Sequence, residues 1–87
     1  MFIHLGQTTT VKKSDIVGIF DLDTSTVSVH TRNFLKKAEQ NNQVINVSTE
    51  LPKSFVITSN GKKNQTVYIS QLAASTLEKR SENFLKE

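Results

Sequence analysis

Apolar positions along this chain come in short clusters with two periodicities. Phe2-Ile3-His4-Leu5 alternates and stops at Gly6, which predicts a short strand closed by a turn. The β-branched stretch Thr8 to Lys13 reads as its hairpin partner. Ser14-Asp15 are turn formers, with room for one helical turn through Ile16. Ile16-Val17-Gly18-Ile19-Phe20 is a nearly continuous apolar run closed by Asp21, the pattern of a buried central strand. Gly18 inside it points to a neighbour that approaches closely. Val27, Phe34 and Ala38 then recur at helical spacings with Leu35 beside them, while Arg32, Lys36 and Lys37 fall off that stripe. This is an amphipathic helix ending near Asn41-Asn42. It starts either among the N-cap candidates Asp23-Thr24-Ser25-Thr26 or, because Thr26-Val27-Ser28-Val29-His30 alternates like a strand, at Ser28.

Val44-Ile45-Asn46-Val47 predicts a short strand, Pro52 a loop, and Lys53 to Thr58 a further strand. Asn60-Gly61 is a turn signal and Thr66-Val67-Tyr68-Ile69 the returning partner, with a mobile basic loop around Lys62-Lys63 between them. Ser75 and Glu78 have capping-box spacing ahead of a C-terminal helix whose Leu77, Arg80, Phe84 and Leu85 share one side. The elements define a small α+β domain spanning residues 1–87. Its core is a mostly antiparallel, twisted sheet of about five to six strands, with one helix packed on it and a second helix at the C terminus.

Composition narrows the physics. A chain of 87 residues forms a single core. Apolar residues make up only 36% of it, and its hydrophobic gain nearly cancels the conformational entropy lost on folding. There is no Cys, hence no disulfide and no thiolate metal site, so self-association is the remaining common source of extra stability. No apolar run approaches the roughly 18 residues of a membrane span, and the Met1-Phe2-Ile3-His4-Leu5 start lacks the pattern of a signal peptide. The expected location is the cytoplasm, with no membrane partner. The net charge of +3 is concentrated between Arg32 and Lys63, which permits a polyanionic partner without establishing one.

Catalysis has little to work with. The nucleotide, hydrolase and metalloprotease motifs are missing, the two histidines lie on separate elements, and no cofactor or metal is expected. His4 reads as structural, and His30 as solvent-facing or packed on Phe34. Asp21 and Asp23 read as turn and cap residues. What recurs is the basic doublet, at Lys12-Lys13, Lys36-Lys37, Lys62-Lys63 and Lys79-Arg80. Such doublets either solubilise separate surfaces or contact phosphate. One copy could make two to four such contacts, too few for firm binding at physiological salt, whereas a cyclic oligomer multiplies them.

Taken in order, Ile3-His4-Leu5-Gly6, Asp15-Ile16-Val17-Gly18-Ile19-Phe20-Asp21, Phe34-Leu35-Lys36-Lys37, Pro52-Lys53-Ser54, Tyr68-Ile69-Ser70, Leu72 and Ser75-Thr76-Leu77-Glu78-Lys79-Arg80 resemble the RemA/RemB family of Gram-positive bacteria nearly end to end. The resemblance implies a small cytoplasmic regulator of biofilm matrix genes. For the RemA branch it implies a DNA-binding transcription activator that self-assembles into rings. Where RemA-type proteins place arginines, this chain has Ser14-Asp15 and Leu51-Pro52-Lys53, so an acid replaces a base at the first position. The expected function is therefore a non-enzymatic regulator of matrix gene transcription. It would act as a cyclic homo-oligomer on double-stranded DNA, with Lys12, Lys13, Lys53, Lys62 and Lys63 as candidate backbone contacts. The alternative is an interaction module that binds a protein, such as a paralogous regulator, without touching nucleic acid.

Overall fold

A computed structural model describes residues 2–25, 28–60 and 65–85, the side chains of Ser25 and of residues 81–85 excepted. Strands β1 (Phe2–Gly6) and β2 (Thr9–Lys12) form an antiparallel hairpin. A 3-10 turn over Lys13–Asp15 leads into β3 (Ile16–Asp21). Helices α1 (Leu22–Ser25) and α2 (Val29–Gln40) follow, then β4 (Val44–Asn46), β5 (Ser54–Ser59), β6 (Gln65–Ser70) and α3 (Ala74–Leu85). The six strands divide between two sheets: the hairpin, and a four-stranded sheet ordered β3-β5-β6-β4. In the latter β3, β5 and β6 are antiparallel and β4 runs parallel to β6. This is the α+β, mostly antiparallel architecture read from the sequence.

The sheet is covered on both faces, and the period-2 alternation of its strands sorts the side chains. Val56 and Tyr68 face the hairpin and α3, packing with Ile3, Leu5, Val11, Val47 and Leu77. Phe55, Ile57, Val67 and Ile69 face α2, packing with Phe34, Leu35 and Ala38. Burial on both faces leaves Phe55, Val56 and Val67 almost wholly out of water. Each such side chain contributes about 1.5–3 kcal/mol relative to exposure.

One expectation is corrected here. The Ile16–Phe20 run lies on an outer strand and not at the sheet centre. The register steps from Ile16↔Thr58 to Gly18↔Ile57, so Val17 is an extra residue in a bulge and is 64% exposed. The bulge resets the alternation and lets both Ile16 and Ile19 pack on the hairpin side. Gly18 does mark a close approach, but the neighbour is two residues along the same strand. A Cβ placed on it would lie 2.6 Å from the ring of Phe20.

Both readings of the first long helix are partly realised. The Asp21 carboxylate accepts from the N–H of Asp23 at 2.8 Å and of Thr24 at 3.3 Å, capping the single turn of α1 as expected for an Asp in that place. The long helix begins afresh at Val29 with Ser28 in extended backbone before it. Thr26 and Val27, between the two, lie outside the described residues. The capping-box expectation is corrected: α3 starts at Ala74, so Ser75 and Glu78 sit inside its first turns and do not straddle its N-cap. The Phe84 and Leu85 side chains, expected on the apolar side of α3, lie outside the described atoms.

Four hydrogen bonds link the hairpin, the sheet and the segment leading into α3. The fully buried Ser70 hydroxyl donates to the carbonyl of Leu5 at 2.7 Å and accepts from the N–H of Leu72 at 3.0 Å. Leu5 is the residue skipped by the β1–β2 register, so its carbonyl is directed at Ser70 instead of the ladder. Ser54, paired with Ser70 across β5 and β6, donates to the carbonyl of Leu72 at 2.7 Å. Arg80 reaches from α3 to the carbonyl of His4 at 2.8 Å.

Candidate functional site

The proposed phosphate contacts are distributed by topology. Lys12 closes β2 and is exposed, and Lys13 opens the 3-10 turn and is half-buried. Both stand at the start of β3. The antiparallel register sets Ile16 opposite Thr58 and Asp21 opposite Ser54, so the start of β3 lies beside the end of β5. Lys53 is exposed immediately before β5, at the other end of that strand pair. Six residues of β5 separate the two ends by about 17 Å. Lys62 and Lys63, and the basic loop expected to carry them, lie outside the described residues.

Lys53 has a fixed footing. Its N–H donates to the Ser70 carbonyl at 2.9 Å, and its carbonyl accepts from the Leu22 N–H at 3.0 Å, extending the sheet to both neighbours. A cation on such a backbone is presented at a defined place, although its own side chain is free to move. Lys36 and Lys37 are exposed on α2, and Lys79 is exposed on α3. Arg80 is occupied in holding the His4 carbonyl. Among the described residues, one chain therefore offers several small cationic points and no continuous stripe.

The histidines follow the sequence reading. The His4 ring bonds the Gln7 carbonyl across the hairpin turn, a local structural contact. Gln7 itself holds a left-handed backbone with φ of 50° beside Gly6, whose φ is 128°. His30 is exposed on the first turn of α2 and shares a groove with Phe34. Among the described residues no group of three His, Asp or Glu side chains could hold a metal ion, and no helix is long and apolar enough to cross a membrane.

Sequence reasoning missed that groove, which lies between α2 and the β3–β5 pair and is lined by Phe20, His30, Thr31, Phe34, Phe55 and Ile57. Its phenylalanines look like ordinary core in one dimension. The available signal was Gly18, two residues from Phe20, at a strand position where a side chain would have been expected.

Residues 2–80 match the family model described as "RemA-like: Extracellular matrix regulatory protein A-like". The chain belongs to the RemA-like family. The match takes in every described strand of both sheets. Among its relatives is "Extracellular matrix regulatory protein B" of Bacillus subtilis (strain 168), 42% identical over 82 residues, which cover 94% of this chain and 91% of that protein. The resemblance noted in the sequence is thereby established at the level of family.

Proposed function

We infer that this RemA-like protein is a non-enzymatic regulator of extracellular matrix gene transcription, working in the cytoplasm as a homo-oligomer that contacts the DNA backbone. Its place among extracellular matrix regulatory proteins supports the biological role. One structural observation carries the mode of action. Lys12 and Lys13 stand at one end of the β3–β5 pair and Lys53 at the other. In a single copy these two cationic points stand apart, whereas copies joined end to end or side to side would line them up along a phosphate backbone. Asp15 lies two residues from Lys13 and weakens the potential at that end, which favours weak, salt-sensitive binding with little sequence selectivity.

Solution mass measured with and without duplex DNA, followed by mobility shifts across a salt series, tests this directly. The expected result is an oligomer that binds DNA in low salt and loses it as salt rises. Each phosphate contact contributes about 0.9 to the slope of log K against log salt. Replacing Lys12, Lys13 and Lys53 together by Gln is expected to flatten that slope while leaving stability within about 0.5 kcal/mol. A chain that is monomeric at all concentrations, or a slope that the triple variant leaves unchanged, overturns the reading.

A second reading is an interaction module for a protein partner. It is favoured by apolar side chains left in water on or near the outer strands, with Leu51 81% exposed and Ile45 and Val17 also prominent. Association through these groups survives about 0.5 M salt, where phosphate contacts fade.

A further inference from the structure

The α2 layer lies over β6 and β4 and leaves an opening toward β5 and β3. The groove there has a volume of about 230 Å³. Phe20, Phe34, Phe55 and Ile57 form its walls, and among the described residues only His30 and Thr31 bring polar side-chain atoms to it. Phe20 is 39% exposed although its ring stacks on Phe55 with centroids 5.0 Å apart and planes inclined at 19°. That flat posture depends on Gly18, because a Cβ there would meet Phe20 Cε2 at 2.6 Å. The chain thus keeps an aromatic wall in place and accessible, where a residue of ordinary size at position 18 would push it aside.

The mouth of the groove differs in character from its walls. His30 and Thr31 belong to the first turn of α2, which contains no acidic residue, and Ser28 makes no side-chain cap bond to it. The N–H groups of a helical first turn have no intrahelical partners and form the positive end of the helix dipole. A cavity of about 150 Å³ accommodates one benzene ring, so this larger, open-sided groove suits one or two fused rings. Aromatic walls favour a ring that can stack or meet them edge on. An electropositive mouth with an imidazole and a hydroxyl favours an anionic group at one end of that ring.

We propose that the groove binds a small planar aromatic carboxylate, its ring against Phe20, Phe34 and Phe55 and its carboxylate at the mouth formed by His30, Thr31 and the first turn of α2. The groove uses none of Lys12, Lys13 and Lys53, so the outcome for DNA binding does not decide it. The site makes the protein a candidate receptor for a small-molecule signal.

The test is an NMR titration of the full chain with 1-naphthoate, and in parallel with the neutral 1-naphthalenemethanol. Wild type is compared with His30→Glu, which places an acid at an exposed first-turn position where helices tolerate it well. Saturable binding of naphthoate is expected with a Kd of roughly 1 mM or tighter, with shifts centred on Phe20, Phe34, Phe55 and Ile57. His30→Glu is expected to weaken naphthoate about tenfold and to leave the neutral probe within about twofold. Any of three results overturns the proposal. One is no saturation by about 5 mM, or shifts centred on Leu51 or Ile45. Another is equal naphthoate affinity in the variant. The third is a groove whose signals change with protein concentration and which the probe cannot enter, meaning that a second copy covers it.

Discussion

The two faces of the four-stranded sheet are built to different standards of closure. On the hairpin side Ile3, Leu5, Val56 and Leu77 are at most 1% exposed, and the buried Ser70 ties the hairpin to the sheet through the Leu5 carbonyl. On the α2 side, among the described residues, only Ala38, Phe55 and Val67 are buried, Phe34 and Leu35 are half-buried, and Phe20 stands partly in water. Both faces use the same alternation on the same strands. What separates them is the covering element: a hairpin and a helix, pinned at several points, against one helix that starts after the extended Ser28. A small domain has about 4–13 kcal/mol of stability in all. Concentrating it on one face leaves the other free to present aromatic surface to a ligand.

The largest effect is expected at the centre of the closed face. Leu77→Ala removes a fully buried side chain whose neighbours Ile3, Leu5 and Val11 are fixed by the hairpin, leaving them little freedom to collapse. Urea denaturation should show a loss of about 3 kcal/mol, within the 2–5 range for such truncations. Phe20→Ala, at the open face, is expected to cost less than half as much despite removing more atoms, since its ring is already partly hydrated. Equal costs would mean that the open face is as tightly built as the other.

Next in size is the serine pin. Ser70→Ala strands the Leu5 carbonyl and the Leu72 N–H, both of which it serves from a fully buried site. The expected loss is about 1–3 kcal/mol, accompanied by faster hydrogen exchange in β1 and β2 than in β5. Uniform acceleration across all six strands would instead make the hairpin an inseparable part of one sheet.

The closed face was the more legible of the two in the sequence. The alternation of Phe2 to Leu5, the turn at Gly6 and the paired runs Lys53–Thr58 and Thr66–Ile69 report strands directly, since apart from the exposed Phe2 their apolar residues pack against a covering layer. The Ile16–Phe20 run misleads because its apolar content has three separate causes. Ile16 and Ile19 are core, Val17 is the exposed extra residue of a bulge, and Phe20 is a groove wall. A string of residue types cannot distinguish these, since register with β5 creates the difference. The same limit hid the separation of Lys12 and Lys13 from Lys53, which depends on the antiparallel pairing of two strands more than thirty residues apart. The family, by contrast, was legible end to end, because it rests on the order of many ordinary residues and not on one chemical motif.

The smallest stability effect is the sharpest probe of the open face. Gly18→Ala adds one methyl group at a backbone position outside the left-handed region, so the main chain accepts it. Relief of glycine's unfolded-state entropy contributes about 0.4–1 kcal/mol in its favour. Against this, the Phe20 ring must swing away from a Cβ that would otherwise meet it at 2.6 Å, giving up a stacking contact with Phe55 that contributes about 0.5–1.5 kcal/mol. The two nearly offset, and the urea midpoint should move little. Ring-to-ring NOEs between Phe20 and Phe55 should nevertheless disappear, because the added methyl occupies the place where the ring lay. A loss above about 2 kcal/mol would show that Phe20 has nowhere else to go, placing it among the tightly packed side chains and making the two faces alike.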